Sequence, residues 1–454
     1  MTVNYREAIS YVIERSGYDK GFVANPFDAE TVGLRRTGWL LAALGHPERR
    51  YPALHVAGTK GKGSTAAALA AIQQAAGRRV GLYTSPHLHT FRERVQLDGV
   101  PIAEDDFAAL VSELAPLNAR LAQERPEWGE ATAFEVATVL ALLAFARWEV
   151  SVAVVEVGLG GRLDATNVLL PEVAAITAIS LDHTRILGDT LAQIAAEKGG
   201  IIKPGRPVVS SPQRPEAAVT LERIAAERGS PIFFGGRDWR VAGSPHSFDL
   251  SGPWGRYEGL TLSLRGNHQL ENAATAVAAC WALGERGLPT SEAAVRAGLA
   301  GVAWPGRFEI IHQQPTVVAD GAHNVDSAER LAEALRAELD GAPLTLILAI
   351  AADKDVEGMV RVLAPLAHTV IATASHNPRA AAPGRIAAAA RAAGLPGQRV
   401  VEAPVVAGAL RLALAGAGRH GAICVTGSLY AVAEAREALG LAQSDDFERA
   451  LLYR

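Results

Sequence analysis

The sequence predicts an α/β protein in two parts, each built on a mostly parallel, buried sheet. Three observations predict it. Short β-branched runs alternate with alanine- and leucine-rich helical stretches along the chain. A glycine-rich turn links one such strand to a helix at residues 58–64. Finally, Val302-Ala-Trp-Pro-Gly-Arg307 interrupts the pattern before it resumes. At 454 residues the chain exceeds one ordinary core and fits two or three domains of about 150 residues each.

The elements follow in order. An apolar strand at 54–56 runs into Gly58-Thr-Lys-Gly-Lys-Gly-Ser64 and an alanine-rich helix that Gly77 closes, and a second strand follows at 79–83. This strand–loop–helix–strand unit predicts a P-loop ATPase domain with a mostly parallel sheet. Loop amides and the positive end of the helix favour oxyanions, Lys62 can reach the β/γ-phosphates, and the Ser64 hydroxyl suits Mg²⁺. The spacing departs from the strict phosphate loop: only Thr59 and Lys60 separate Gly58 from Gly61-Lys62, and Gly63 precedes the serine.

The strand at 152–157 carries a terminal carboxylate, Glu156, followed by Gly158-Leu-Gly-Gly-Arg-Leu-Asp164-Ala-Thr-Asn167. A carboxylate there is placed to hold Mg²⁺, or is a solvated strand end, and the glycines imply that backbone approaches something closely. The strand at 173–179 leads to Ser180-Leu-Asp182-His183-Thr184, which puts His183 at a strand's carboxyl end, where ligands of open α/β sheets bind. A later helix carries Glu197-Lys198. Between 231 and 264, Gly/Pro/Ser turns separate short runs that read as antiparallel strands at a sheet edge. Helices are expected from near Gln269 and from Ser291. The domain boundary falls at 303/304, and strands at 316–319, 344–349, 369–372 and 422–426 make residues 304–454 a smaller, Rossmann-like α/β domain.

Composition narrows the function classes. Hydrophobic residues at 49% and charged residues at 20% are those of a globular protein, and a net charge of −4 leaves no basic footprint for nucleic acid. The two cysteines, Cys280 in a helix and Cys424 in a strand, exclude a disulfide framework or a cysteine zinc site. The N-terminus lacks a basic-then-apolar signal pattern, and apolar runs such as 136–146 fall short of a membrane span. A cytoplasmic enzyme is expected.

Six ordered motifs make the likeness specific: the 58–64 loop, Thr84-Ser-Pro-His-Leu88, Glu156-Val-Gly-Leu-Gly-Gly-Arg-Leu-Asp-Ala-Thr-Asn167, Asp182-His183 with Glu197-Lys198, Asp320-Gly-Ala-His-Asn324 and Thr426-Gly-Ser-Leu-Tyr430. With them the chain resembles the folylpolyglutamate synthase/dihydrofolate synthase family of Mur-ligase-like amide ligases. The resemblance implies an ATP site at Gly58, Gly61, Lys62, Gly63, Ser64, Asn272, Arg307 and Asp320, with the nucleotide clamped between the domains. It implies two Mg²⁺ ions near Ser64, Glu156, His183 and Lys198, the lysine being carbamylated in this family. Unmodified, Lys198 reads as a helix-face lysine or a phosphate contact. Read alone, Asn272 is a helix cap and Arg307 a linker charge. The same resemblance gives catalytic parts to Lys62, Lys198, His323 and Ser428, the last two on the glutamate side.

Ser85, Pro86, His87, Thr132, Phe134 and Asp164 match pterin-side positions of the family, although Phe134 in an apolar helix also reads as core. Val32-Gly-Leu-Arg-Arg36 resembles the family's Gly-Leu-Glu-Arg stretch near the dihydropteroate pocket, with Arg35 in place of the glutamate. Lys60 stands where the loop usually has asparagine, adding positive charge compatible with nucleotide. The activity implied is ATP-dependent addition of L-glutamate to folates and to dihydropteroate through an acyl phosphate, by a monomer that uses neither nucleic acid nor membrane. The alternatives are a Mur-type ligase acting on a cell-wall precursor and a nucleotide-dependent binding module.

Overall fold

Buried β-branched runs form the first sheet. In the computed structural model, which describes residues 3–15 and 32–452, its strands are β1 (Ala53–Ala57), β2 (Val80–Tyr83), β3 (Val95–Leu97), β4 (Val100–Pro101), β5 (Val152–Glu156), β6 (Val173–Ile176), β7 (Val208–Ser210) and β8 (Ile232–Phe234). Met1, Thr2, residues 16–31, Tyr453 and Arg454 lie outside the described residues, and the Val32–Arg36 stretch lies within them. The strand order is β4-β3-β2-β5-β1-β6-β7-β8, parallel except where β3 pairs antiparallel with β2 and β4. Every residue of β1 and β5 is buried, as the central strands of a sheet covered on both faces require.

Helices cover this sheet for local reasons. The helix Lys62–Ala75 is rich in alanine and ends where Gly77 takes φ +77°. Thr132 and Glu135 form a capping box that starts the almost wholly buried helix Ala133–Arg147, and Thr190 with Gln193 starts Leu191–Gly199 in the same way. The apolar run at 136–146 is therefore a core helix. Ser291 caps Glu292–Gly301 through its hydroxyl.

Residues 231–264 differ from the expected edge sheet. Ile232–Phe234 joins the first sheet, parallel to β7, whereas β9 (Arg240–Ser244), β10 (Ser247–Gly252) and β11 (Gly255–Leu260) form a separate antiparallel sheet. The run at 260–264 contributes only its first residue to a strand. Aromatic packing explains the separation. Trp254 lies 6.4 Å from Trp281 on the helix His268–Gly284 and 6.5 Å from Trp239, giving the small sheet its own apolar anchor.

The second α/β sheet has the order β12-β13-β17-β14-β15-β16, comprising β12 (Glu309–Gln313), β13 (Thr316–Ala319), β14 (Leu344–Leu348), β15 (Thr369–Ala372), β16 (Val400–Glu402) and β17 (Ala422–Thr426). Only the β12–β13 pair is antiparallel. The chain divides into two compact units. The first takes Met1–His87, Phe91–Ser263 and Gln269–Val302; the second takes Leu88–Thr90, Leu264–His268 and Ala303–Arg454. Both cysteines are buried and free, Cys280 in a helix and Cys424 in β17.

Candidate active site

The glycine-rich loop leaves β1 at a position only glycine can occupy. Gly58 has φ +151°, and a Cβ there would stand 1.8 Å from Thr177 Oγ1. Gly61, at φ +86°, precedes the helix Lys62–Ala75 without any side-chain cap, so the first-turn amides and the helix dipole are left for an anion. The Thr59 and Lys60 amides donate to Ala178 O at 3.0 and 3.2 Å, and Thr59 Oγ1 donates to Ser180 O at 3.2 Å. This stapling is why β6 ends at Ile176, three residues before the sequence suggested. Residues 177–179 leave the sheet to hold the loop.

Asn272 sits inside the helix His268–Gly284, not at its start, which sets aside the cap reading. Its Nδ2 donates to Gln269 Oε1 at 2.8 Å, and its Oδ1 would lie 2.1 Å from a Cβ on Gly61. The asparagine thus backs the loop directly.

Glu156 is the last residue of β5, paired in register with Val56 of β1. It is only 4% exposed, and its Oε2 accepts from the Ser85 amide at 3.1 Å, which ties Thr84-Ser-Pro-His to the carboxylate. Lys198 is also buried, and its Nζ donates to Gly58 O at 2.8 Å. Burial, with nearby Lys62, brings its pKa down to about 7.

Two sequence expectations change here. Lys60 does not offer a free charge to nucleotide: its Nζ is 2.9 Å from Asp182 Oδ2. Burial opposes ionisation of Asp182, yet Lys60 takes its pKa down to about 2. His183 is not at a strand end but precedes the one-turn helix Thr184–Leu187 at φ +49°, with its ring half-exposed. Among the described residues, no three His, Cys, Asp or Glu side chains converge as a metal cage.

The glycines after Glu156 do approach something closely, and it is protein. A Cβ on Gly158 would meet the Phe134 ring at 2.4 Å, and one on Gly161 would meet Glu197 O at 2.7 Å. Phe134 is half-buried, packed against Gly158 with its ring 6.1 Å from Tyr83. The Thr132 hydroxyl accepts from the Glu135 amide at 3.4 Å, while Arg36 grips Glu135 with two bonds of 2.7 Å. Arg35 is exposed. Pro86 follows a cis peptide, and His87 Nδ1 accepts from Arg94 Nε at 3.1 Å.

Asp164 is buried and accepts from the Leu159 and Thr166 amides at 2.9 and 3.0 Å; burial raises its pKa above the usual carboxylate value against the opposing pull of these bonds. Sequence reading missed the polar chain behind it, in which Thr166 Oγ1 reaches both Asp164 Oδ1 and His55 Nε2. The available signal was one histidine in the otherwise apolar strand Ala-Leu-His-Val-Ala.

In the second unit, Asp320 follows β13 and accepts from the Phe308 and Ala322 amides, each at 2.9 Å. Burial raises its pKa against the opposing pull of Arg307, whose Nη1 donates to Gly306 O at 3.1 Å. His323 Nδ1 lies 2.9 Å from Gly321 O, and Ser428 caps the helix Leu429–Ala438 by accepting from the Ala431 amide. Arg307, Asp320, His323 and Ser428 therefore all lie where the strands of this sheet hand over to loops.

Residues 56–280 match the Mur ligase middle domain, and residues 306–429 match the Mur ligase glutamate ligase domain. The dihydrofolate synthase/folylpolyglutamate synthase of Bacillus subtilis (strain 168) is 40% identical over 358 residues, covering 77% of this chain and 82% of that protein. The chain belongs to the folylpolyglutamate synthase/dihydrofolate synthase family of Mur ligases. The folylpolyglutamate synthase of Lacticaseibacillus casei is 37% identical over 83% of this chain and 87% of its own. Mycobacterium tuberculosis folylpolyglutamate synthase complexed with ADP superposes with a TM-score of 0.86 at 34% identity, covering 97% of this chain and all of that one. The Escherichia coli relative in complex with DHPP and ADP gives 0.82 at 32% identity, over 96% and 98%.

Proposed function

We propose that this chain joins L-glutamate to folate-type carboxylates at the expense of ATP, extending tetrahydrofolate polyglutamates and converting dihydropteroate to dihydrofolate. The observation that carries the reading is the loop 58–64, stapled open at a helix start, with buried Glu156 one strand away and Lys198 bonded to Gly58. The cell-wall-precursor alternative is set aside, because the relatives named above are folate enzymes.

In the reaction, the acceptor carboxylate attacks the γ-phosphorus, ADP leaves, and the amine of glutamate then displaces phosphate from the acyl carbon with loss of a proton. Lys62 and the amides of the first helical turn hold phosphate oxygens, and Asn272 keeps the loop in the shape that aims them. Arg307 and Asp320 take further nucleotide contacts, with His323 and Ser428 on the glutamate side. Ser85, Pro86, His87, Thr132, Phe134 and Asp164 line the acceptor side. Gly58, Gly61 and Gly63 let the backbone approach the phosphates.

The donor set fits Mg²⁺ carried by ATP, since Ser64 and Glu156 supply a hydroxyl and a carboxylate, both buried, and phosphates would complete the shell. His183 and a carbamylated Lys198 would serve a second ion. Bound there, Mg²⁺ would neutralise charge developing on the transferred phosphoryl group. A Lys198 amine with pKa near 7 supports carbamylation: the neutral nitrogen adds to CO₂, releases a proton and becomes an anionic carbamate. We place the enzyme in the cytoplasm as a monomer; among the described residues no helix is long and apolar enough to cross a membrane.

The test is glutamate incorporation measured in parallel with dihydropteroate and tetrahydrofolate. ADP release that requires both glutamate and a pterin acceptor is the expected result. Release independent of both acceptors would overturn the reading.

A further inference from the structure

The strand that delivers the phosphate loop also holds a histidine that no step above uses. His55 is wholly buried in the middle of β1, paired with Val155 on one side and Ala174 on the other. Its Nε2 stands 2.8 Å from Thr166 Oγ1, which stands 2.5 Å from Asp164 Oδ1. Thr166 has one hydroxyl proton for these two neighbours.

Two proton arrangements complete the chain. In one, Asp164 is ionised, Thr166 donates to it, and His55 donates through Nε2–H, which leaves Nδ1 as a bare lone pair. In the other, a protonated Asp164 donates to Thr166, Thr166 donates to Nε2, and His55 carries its proton on Nδ1. His55 Nδ1 is buried with no partner among the described residues. An orphaned buried N–H is rarer and costlier than a bare acceptor, so the first arrangement is favoured. The two backbone amides on Asp164 act the same way, because they can only donate. Burial also takes the His55 pKa down to about 3, so the ring stays neutral.

We propose that His55 is a positioning residue for the acceptor, holding Asp164 ionised and in one orientation through Thr166, so that a heterocycle presenting N–H donors is anchored from the strand that carries the nucleotide loop. This rests on the acceptor-side reading of Asp164 above. Successive donors along the relay polarise one another, which strengthens the carboxylate's hold on a fixed geometry. Because His55 and Gly58 share one short stretch of backbone, the Asp164 carboxylate and the phosphate loop are registered to the same strand.

Steady-state kinetics on the full chain, varying ATP and acceptor separately, test the role, with thermal unfolding alongside. The variants are His55→Leu, His55→Gln, which retains an N–H donor near the Nε2 position, Thr166→Val and Thr166→Ser. We expect the acceptor KM to rise about tenfold in H55L and T166V, with the ATP KM within about twofold of wild type. H55Q and T166S should recover most of the loss. An unchanged acceptor KM, a parallel rise in both KM values, or an H55Q as impaired as H55L would overturn the role. If H55L fails to fold, T166V against T166S decides by the same rule. Wild-type turnover separates the two readings: with no folate acceptor used, the functional reading falls and this role with it, whereas turnover without the KM split removes the positioning role alone.

Discussion

Replacing Gly58 with alanine should damage both folding and nucleotide binding, and its cost can be worked from two sources. Alanine would have to adopt φ +151°, a strain of about 1–3 kcal/mol. Its Cβ would also enter a space already filled by Thr177, 1.8 Å from Oγ1 and 3.1 Å from the backbone nitrogen, and overpacking adds about 1–3 kcal/mol. The sum, roughly 2–6 kcal/mol, is a large share of the roughly 5–15 kcal/mol that holds a typical protein folded. The loop would also move, and with it the carbonyl that receives Lys198. Denaturant unfolding and ADP titration are the assays. Gly205→Ala is the control, since its φ is +68° but no atom lies within 4 Å, so only strain of about 1–2 kcal/mol should register. Adding Thr177→Ala to G58A should return part of the overpacking term, and the double-mutant cycle measures how much. If G58A stays within about 1 kcal/mol of wild type and binds ADP normally, the steric account of this loop is wrong.

Three further outcomes are expected. Lys198→Met should lower turnover about 10–100-fold and abolish a ¹³C carbamate resonance that labelled bicarbonate produces in wild type; retained activity without that resonance would remove the carbamate from the mechanism. Lys60→Ala should cost about 1–2 kcal/mol near neutral pH and flatten the acid loss of stability, because Asp182, now near 2, would titrate closer to its unfolded 3.8; in wild type its pairing contributes fully above 3.8 and is lost as pH falls through 2. For His55, the unfolded chain takes up a proton below about 6.5 while the folded chain waits until about 3, so wild-type stability should fall through that window by up to roughly 5 kcal/mol. Chemical unfolding between neutral pH and pH 4 checks this, and the slope should shrink in H55Q.

Much of the site was legible because its chemistry is carried by contiguous residues. The loop 58–64, Glu156 closing a strand and Asp320-Gly-Ala-His each need one local backbone shape, which short-range sequence specifies. Lys60 and His183 were less legible. The charge of Lys60 goes to Asp182, far along the chain, and the His183 strand ends early because residues 177–179 are recruited to hold the loop. The relay from His55 to Asp164 was hidden for the same reason: it joins a β1 side chain to a loop that follows β5. Residues 231–264 showed their strands but not their partners, which aromatic packing on a distant helix decides.

By itself the sequence determined the α/β class, the order of the motifs and the family likeness. These follow from hydrophobic period, glycine placement and residue type, all of which are local. Only the tertiary structure decided which groups share a proton or a charge, because that depends on pairings between strands and loops far apart in the chain. It bonded Lys198 to Gly58, set Asn272 behind Gly61 and committed Lys60 to Asp182. Burial then did what no motif can state, bringing the Lys198 pKa to about 7 and keeping His55 neutral behind Asp164.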